Sequence, residues 1–368
     1  MNRRRRKLRI RYFRAGAALL LIGIFIFGIS LLVSSLKGEP GGGETVRQSV
    51  TTVPATVAEE PIKEKKPKPV IFIPNLTERS KIIPLPEPEP TVENAPTTKP
   101  PAIPLPPQCV LLVNMSSNEI VAYNENYNTR IYPASLTKVM SLIVAVEALE
   151  DEEQLKDTVL MTSDMIDPMI AEGASRAGFL AGEKPTVEEL LYGMILPSGA
   201  DAVLAIAEYI GGSNAEFVRM MNEKAQEMGL KGTHFMNATG MPDDSHYSTP
   251  MEMAMVLEYA VQVDLCRKIL STYKYTVPPN VVEREAIELT STTFSRMTGD
   301  EMPGVKIYGG KTGFTENARH CLGTFAEING EMYIAVLTGY TSKWQIVYDT
   351  LSYYSVYGYG GEPYIPPK

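Results

Sequence analysis

Prolines crowd one part of this chain and determine where a packed domain can begin. Of the 28 prolines among 368 residues, 16 fall within residues 37–107, together with glycines and charges of both signs. Because such a composition buries little apolar surface, it favours extended polyproline conformation, reaching on the order of 200 Å at ~3.1 Å per residue. We therefore predict a tether over residues 37–107, a folded domain over residues 108–358 and a tail over residues 359–368.

A basic block and an apolar run precede the proline-rich stretch. Residues 1–14 hold eight basic and no acidic side chains, and residues 15–36 carry no charge. About 20 apolar residues span a bilayer, and basic residues beside such a span stay in the cytoplasm. We predict a cytoplasmic tail over residues 1–14 and a transmembrane anchor over residues 15–36, with the domain outside the cell membrane. A cleaved signal peptide is the alternative, and it also exports the domain.

Charge and cysteine content argue against several function classes. The overall net charge is −8, so the chain beyond its basic first 14 residues carries −16. This acidity disfavours a nucleic-acid partner. The three cysteines and three histidines lack the spacing of a disulfide framework or a zinc site. We expect no metal and no cofactor.

Apolar patterns after residue 108 predict an α+β domain. Two apolar runs flank "MSSN" as in a β-hairpin, and Asn329-Gly330 predicts a tight turn between two later strands. Helical patterns lie between these strands: after Ser135, and over Val187–Tyr192, Ala200–Ile210, Glu216–Met228, Met251–Val261 and Trp344–Tyr357. Strands at both ends with helices between them predict a sheet that joins the two ends of the domain.

Ser135 and Lys138 lie three residues apart at the start of an apolar helix. A serine hydroxyl needs a neighbouring base to act as a nucleophile, and burial lowers the pKa of a lysine so that its neutral amine can accept a proton. Ser34–Lys37 and Ser271–Lys274 have the same spacing, so the pair alone is weak evidence. A helix cap beside a lysine that extends to solvent is the alternative.

Two further segments place polar groups beside glycines. "IYGGKTGFT" puts Lys311 and Thr312 on a strand that a ligand backbone can approach closely, although an edge lysine can also serve only to block sheet pairing. "LPSGADA" puts Ser198 in a turn between two helices, where a helix cap is the alternative. Neither segment identifies a function by itself.

Taken together, three short motifs follow the order and approximate spacing of penicillin-interacting serine enzymes. They are Ser135-x-x-Lys138, Ser198-Gly199-Ala200-Asp201 and Lys311-Thr312-Gly313. With "THFMNATGMPDDSHYSTP" and "GGKTGFT", the chain resembles the serine-type D-alanyl-D-alanine carboxypeptidases, the low-molecular-mass penicillin-binding proteins, over residues 108–345. The resemblance implies a β-lactamase/transpeptidase-like fold, an antiparallel sheet flanked by helices with an all-helical subregion. It also implies removal of the terminal D-Ala from peptidoglycan stem peptides, with β-lactam antibiotics as covalent inhibitors.

The resemblance implies a catalytic role for three side chains. Ser135 would be the nucleophile that forms an acyl-enzyme, and Lys138 would be its base. Ser198 would pass a proton towards the leaving amine. The backbone N–H groups of Ser135 and Phe314 would form the oxyanion hole.

Substrate binding would fall to the third motif. Lys311 and Thr312, followed by Gly313, would bind the terminal carboxylate of the peptide. Lys311 would also help to keep Lys138 neutral, because neighbouring ammonium groups repel each other.

Ala200 departs from the family pattern, which usually has asparagine at this position. An asparagine amide can contact both the catalytic lysine and the substrate carbonyl, and its loss costs on the order of 1–3 kcal/mol of transition-state binding. Three alternatives remain: a β-lactamase, a transpeptidase of the same fold, and a non-catalytic penicillin-binding sensor or scaffold of the wall, for which Ala200 is the best support. A β-lactamase needs a deacylating acid on a loop between the second and third motifs. Glu216, Glu223 and Glu227 lie in that region, but each falls in a helical pattern.

Overall fold

The structure is a computed structural model that describes residues 68–82, 106–279, 285–297 and 302–366. The predicted cytoplasmic tail and anchor over residues 1–36 lie outside these ranges, as does most of the predicted tether. Within the described ranges, no helix combines the length and apolarity that crossing a bilayer requires.

A six-stranded sheet with the order β1-β3-β2-β8-β7-β6 forms the centre of the domain. Its strands are β1 (Lys81–Ile82), β2 (Cys109–Asn114), β3 (Glu119–Tyr123), β6 (Val305–Thr315), β7 (Arg319–Ile328) and β8 (Glu331–Tyr340). β2 pairs antiparallel with β8, which confirms that the sheet joins the two ends of the domain. β2 is apolar from Cys109 to Val113 because both of its faces are buried: Leu111 and Val113 face one core, and Val110 and Leu112 the other.

Residues 68–82 belong to the stretch predicted as a tether, and they follow the surface of the domain. β1 pairs parallel with β3, whose outer edge would otherwise expose unpaired backbone groups. The Gln262 side chain donates to the backbone carbonyl of Val70 at 3.0 Å. Proline content did not predict these contacts, because they depend on an edge strand that lies elsewhere in the sequence.

The described residues form nine α-helices, which include five of the six that the sequence predicts, with small shifts at their ends. They are α1 (Thr137–Ala148), α2 (Ser163–Ala171), α3 (Val187–Ile195), α4 (Ala200–Gly211), α5 (Asn214–Glu227), α6 (Pro250–Gln262), α7 (Asp264–Leu270), α8 (Phe294–Met297) and α9 (Gln345–Tyr353). Thr186, Ser213 and Thr249 cap α3, α5 and α6 through their side-chain oxygens. Helices α2 to α5 form the predicted helical subregion around α1.

Helices cover both faces of the sheet. α6 packs against β2, β7 and β8, and α9 packs on the other core. α9 ends at Tyr353 and continues as a π-helical turn over Tyr354–Tyr359, where the sequence predicted one helix. A separate hairpin, β4 (Lys274–Val277) and β5 (Ile287–Thr290), precedes the last three strands. The architecture confirms the predicted α+β class.

Candidate active site

Ser135 lies in a short 3-10 turn, Ala134–Leu136, that leads directly into α1. Lys138 follows in the first turn of α1, so its side chain extends back beside the serine. The Lys138 Nζ donates to Ser135 Oγ at 3.0 Å. The structure therefore confirms the proximity that the three-residue spacing predicted.

Lys138 is 2% exposed, and its surroundings favour the neutral amine. Burial lowers the pKa of Lys138 from 10.5 to about 7, while the nearby Asp201 carboxylate opposes this shift. At neutral pH a substantial fraction of this side chain can therefore accept a proton. The backbone carbonyl of Thr239 accepts from Lys138 Nζ at 2.7 Å and fixes the direction of the amine.

A polar turn that follows Asn237 holds the Thr239 carbonyl in place. The Asn237 Oδ1 accepts from Thr239 N at 3.2 Å, Thr239 Oγ1 at 3.0 Å, Gly240 N at 2.8 Å and Met241 N at 3.0 Å. Its Nδ2 donates to the Met241 carbonyl at 3.0 Å. One side chain thus organises the loop against which the catalytic lysine rests. The sequence contained the cue, "NATGMP", but its pattern did not indicate any contact with Lys138.

Close backbone packing fixes the position of the nucleophile. Gly240 has a φ of +82°, and a Cβ at this position would lie 2.0 Å from the Ala134 carbonyl oxygen. A Cβ on Gly313 would lie 3.1 Å from the Ser135 backbone nitrogen, so β6 passes directly beside the serine. His246 adds a side-chain contact, its Nε2 lying 2.8 Å from Thr137 Oγ1 at the start of α1. Loop, strand and helix therefore meet at Ser135.

Ser198 precedes α4 and has a φ of +66°, an uncommon conformation for a residue with a side chain. Its Oγ is buried and has no hydrogen-bond partner among the described residues. Asp201, in the first turn of α4, accepts from Ala177 N at 2.7 Å and Gly178 N at 3.1 Å. Because the Asp201 carboxylate also raises the pKa of Lys138, the start of α4 lies near the catalytic pair. The Asp201 carboxylate therefore anchors residues 177–178. It does not take the place of the asparagine amide that the family pattern usually has at position 200.

Lys311 lies on β6 and is 1% exposed, with its Nζ donating to the Thr312 carbonyl at 2.9 Å. Burial, then the charges of Lys138 and Arg296, holds the pKa of Lys311 well below its usual value. The sequence predicted that Lys311 repels a proton from Lys138. Burial is the largest cause of the lowered Lys138 pKa, and repulsion between Lys138 and Lys311 contributes to the lowered pKa of Lys311.

Arg296 is a member of this cluster that the sequence did not indicate. It lies on α8, and its Nη1 is buried with no hydrogen-bond partner in the described part of the chain. Thr292, at the start of the same segment, places its Oγ1 2.7 Å from Thr312 Oγ1. Lys311 and Arg296 thus lie near enough to interact electrostatically, and the paired hydroxyl groups of Thr292 and Thr312 adjoin Lys311, an arrangement suited to a carboxylate.

The remaining predicted residues have clear positions. Phe314 is 46% exposed at the rim, two residues beyond Thr312 on β6. In the second serine–lysine pair, Ser271 lies against Gly309 of β6, whereas Lys274 forms an ion pair with Glu288 at 2.8 Å.

The sequence and the fold match known proteins. Residues 95–342 match the sequence model of a family described as D-alanyl-D-alanine carboxypeptidase. The chain belongs to this family. DacF of Bacillus subtilis, a D-alanyl-D-alanine carboxypeptidase, is 36% identical over 219 residues, which are 60% of this chain and 54% of DacF. The chain thus spans about half the length of that relative.

Proteins from Streptomyces extend the match to solved structures. The D-alanyl-D-alanine carboxypeptidase of Streptomyces sp. strain K15 is 30% identical over 226 residues, covering 60% of this chain and 76% of that protein. The crystal structure of the Streptomyces K15 DD-transpeptidase has a TM-score of 0.57 and 27% identity, covering 67% of this chain and 93% of that one. The transpeptidase-like fold that the motifs implied is therefore confirmed.

Proposed function

We propose that this protein is a serine D-alanyl-D-alanine carboxypeptidase that removes the terminal D-Ala from peptidoglycan stem peptides. The observation that carries the proposal is the contact between a buried lysine with a lowered pKa and a serine hydroxyl at 3.0 Å. Family membership gives the substrate class, since the relatives are D-alanyl-D-alanine carboxypeptidases by name.

In the acylation step, the neutral amine of Lys138 takes the proton of Ser135 Oγ as that oxygen attacks the carbonyl carbon of the D-Ala–D-Ala bond. The developing oxyanion would accept from the backbone N–H groups of Ser135 and Phe314. Breaking the amide bond releases the terminal D-alanine, whose nitrogen receives a proton. The buried, unpartnered hydroxyl of Ser198 is suited to deliver that proton. A water molecule then hydrolyses the ester on Ser135.

The carboxylate that ends the substrate fits beside Lys311. An arriving anion favours the charged form of a buried lysine, so binding would return a proton to Lys311 and form an ion pair. Arg296 Nη1, which lacks a partner among the described residues, supplies a second cation, and Thr312 supplies a hydroxyl. This arrangement selects a free carboxyl terminus over an internal peptide bond.

A β-lactamase is less well supported. The candidates for its deacylating acid are three glutamates of α5. Glu216 and Glu223 are ion-paired with Arg219, and Glu227 is ion-paired with Lys68 at 2.5 Å. All three ion pairs lie on the exposed side of α5, so these carboxylates form surface ion pairs and are not directed at the active site.

A transpeptidase remains a specific second candidate, because the matching Streptomyces K15 protein is described as a DD-transpeptidase. The two activities share one acyl-enzyme and differ only in whether water or an amine attacks it. Adding an amine acceptor such as glycylglycine to the reaction separates them. A carboxypeptidase continues to release mainly the shortened peptide, whereas a transpeptidase transfers the acyl group to the amine.

We propose in addition that a single span over residues 15–36 anchors the enzyme in a bacterial cell membrane, with the domain on the outer face. The uncharged apolar run and the basic residues before it support this topology. The proline-rich stretch would let the domain approach the wall.

The direct test is D-alanine release by the full chain from a peptide that ends in D-Ala–D-Ala. Wild type should release D-alanine and form a covalent adduct with a fluorescent penicillin. Ser135→Ala should do neither, while Ser271→Ala, which alters the second serine–lysine pair, should retain both. Equal labelling of Ser135→Ala would show that the nucleophile is wrongly assigned, and penicillin labelling without D-alanine release would favour a non-catalytic binder.

A further inference from the structure

A line of aromatic side chains leads away from the rim of the active site. We call it the aromatic line, and it consists of Phe314, His320, Trp344, Tyr348 and Tyr364, with Lys343 between the second and third rings. Phe314 is 46% exposed and Trp344 is 43% exposed, although large apolar side chains are usually buried. Exposed aromatic groups that adjoin each other mark interaction surfaces more often than isolated ones do.

Contacts connect the first half of the line. The rings of Phe314 and His320 lie 4.5 Å apart. His320 pairs in register with Tyr340 on β8, only three residues before Lys343. The Lys343 Nζ in turn lies 5.3 Å from the centre of the Trp344 ring. The line is therefore continuous from the rim of the site to the start of α9.

The second half of the line lies on α9 and the segment that follows it. The Trp344 and Tyr348 rings are nearly parallel, at 17°, with centres 6.5 Å apart, and Tyr348 and Tyr364 lie 5.9 Å apart. Tyr348 and Tyr364 also pack against the core beneath α9, which fixes their rings. For comparison, the rings of the buried Tyr192 and the half-buried Tyr275 stack with centres 3.9 Å apart. The Trp344 and Tyr348 rings are more widely spaced, and Trp344, at 43% exposure, is open to contact with another molecule.

We propose that the aromatic line binds the saccharide chain to which the stem peptide is attached. Pyranose rings present an apolar face of C–H groups that stacks on aromatic rings, and their hydroxyl and acetamido groups accept hydrogen bonds. Aromatic rings supply the apolar contact, while Lys343 and the phenol groups supply donors. The inference rests on the proposed function, since it extends the substrate from its peptide to its polymer.

Continuity with the active site favours this occupant over two others. The line begins two residues from Thr312, so a bilayer or a second copy lying along it would also cover the entrance for the peptide. A saccharide chain has no such conflict, because its own peptide occupies the site. A stem peptide of about five residues reaches at most ~17 Å, which keeps the saccharide within the neighbourhood of the rim.

The test uses Trp344 as its own reporter, since it is the single tryptophan of the sequence. Full-length Ser135→Ala protein is titrated with soluble glycan strands from which an amidase has removed the stem peptides, and tryptophan emission is recorded. We expect a saturable change. Tyr348→Leu keeps the apolar packing but removes the aromatic face, so it should weaken binding about tenfold. Tyr359→Ala, which removes an exposed tyrosine outside the line, should bind as the parent does.

A second measurement compares D-alanine release from strand-borne peptide and from free peptide. In otherwise wild-type protein, Trp344→Ala should lower kcat/KM on the strand-borne peptide about tenfold more than on the free one. Absence of a saturable emission change with the strands overturns the inference, whatever the enzyme does to peptides. A change produced equally by anionic lipid vesicles, or by self-association in sedimentation, overturns it too. If strands bind but no D-alanine is released, the proposed function fails and the inference stands.

Discussion

Asn237→Ala should impair acylation although Asn237 touches neither the nucleophile nor the substrate site. Its side chain makes five hydrogen bonds within the turn that presents the Thr239 carbonyl to Lys138 Nζ at 2.7 Å. Each bond contributes roughly 1 kcal/mol, and water replaces part of them in this half-buried loop, so we expect the free energy of unfolding to fall by about 2–3 kcal/mol.

The larger effect should be on the reaction. Without the turn, the Thr239 carbonyl no longer fixes the amine, and a displacement of about 1 Å in a catalytic group can cost on the order of 100-fold in rate. We expect the rate constant for acylation by a fluorescent penicillin, followed by stopped flow at pH 8, to fall about 10- to 100-fold. Replacing Asn237 by aspartate should change the pH dependence of the acylation rate. Asn237→Asp places a negative charge near Lys138, which raises its pKa and moves the rise in rate to higher pH.

Asn222→Ala is the matched control. Asn222 is also half-buried, and it makes three hydrogen bonds, two of them to the backbone of Phe235 in the segment just before the turn. Its removal should reduce stability comparably but change the acylation rate less than about threefold, because the Thr239 carbonyl stays in place. If folded Asn237→Ala is acylated at the wild-type rate, or if both variants lose the same factor in acylation rate, the Asn237 turn does not position Lys138 through the Thr239 carbonyl.

Three further substitutions test other parts of the account. Gly240→Ala should abolish penicillin labelling, because the added Cβ would lie 2.0 Å from the Ala134 carbonyl oxygen. Gly229→Ala is the control, since Gly229 has a φ of +74° but open space around it. It should lower the free energy of unfolding, measured by chemical denaturation, by only about 1 kcal/mol and keep the labelling. Ala200→Asn should raise kcat/KM for D-alanine release about tenfold by restoring the amide contact, and an unchanged value would show that this chain does not need it. Burial raises the pKa of Glu258 from 4.5 to about 7. Glu258→Gln should therefore stabilise the protein by about 3 kcal/mol at pH 8, where the buried carboxylate is charged, and leave its stability unchanged at pH 4, as thermal denaturation would show.

Much of the fold was predictable because apolar periodicity and turn residues are local features of the sequence. The helix after Ser135 and the turn at Asn329-Gly330 follow from periodicity and from residues that tolerate positive φ, and both are confirmed. The parallel pairing of Lys81–Ile82 with β3 was not predictable. It depends on which strand forms the edge of the sheet, and a proline-rich sequence carries no information on that.

The catalytic pair was predictable because three-residue spacing on a helix is a local geometric relation. Asn237 and Arg296 were missed because their roles arise only when distant segments meet, the first at Lys138 and the second beside Lys311. The cause of the lowered Lys138 pKa was predicted only in part. Burial is a property of the packed core, and the sequence showed only that the surrounding helix is apolar.

The dependence of the acylation rate on pH shows whether burial keeps the Lys138 amine partly neutral near pH 7. The rate constant for acylation of the full chain by penicillin would be measured from pH 5 to pH 10. Only the neutral amine can take the proton of Ser135, so the rate should rise with a midpoint near pH 7 and level off above pH 8. A rate that is flat over this range, or still rising at pH 10 as an exposed lysine would require, would contradict the account.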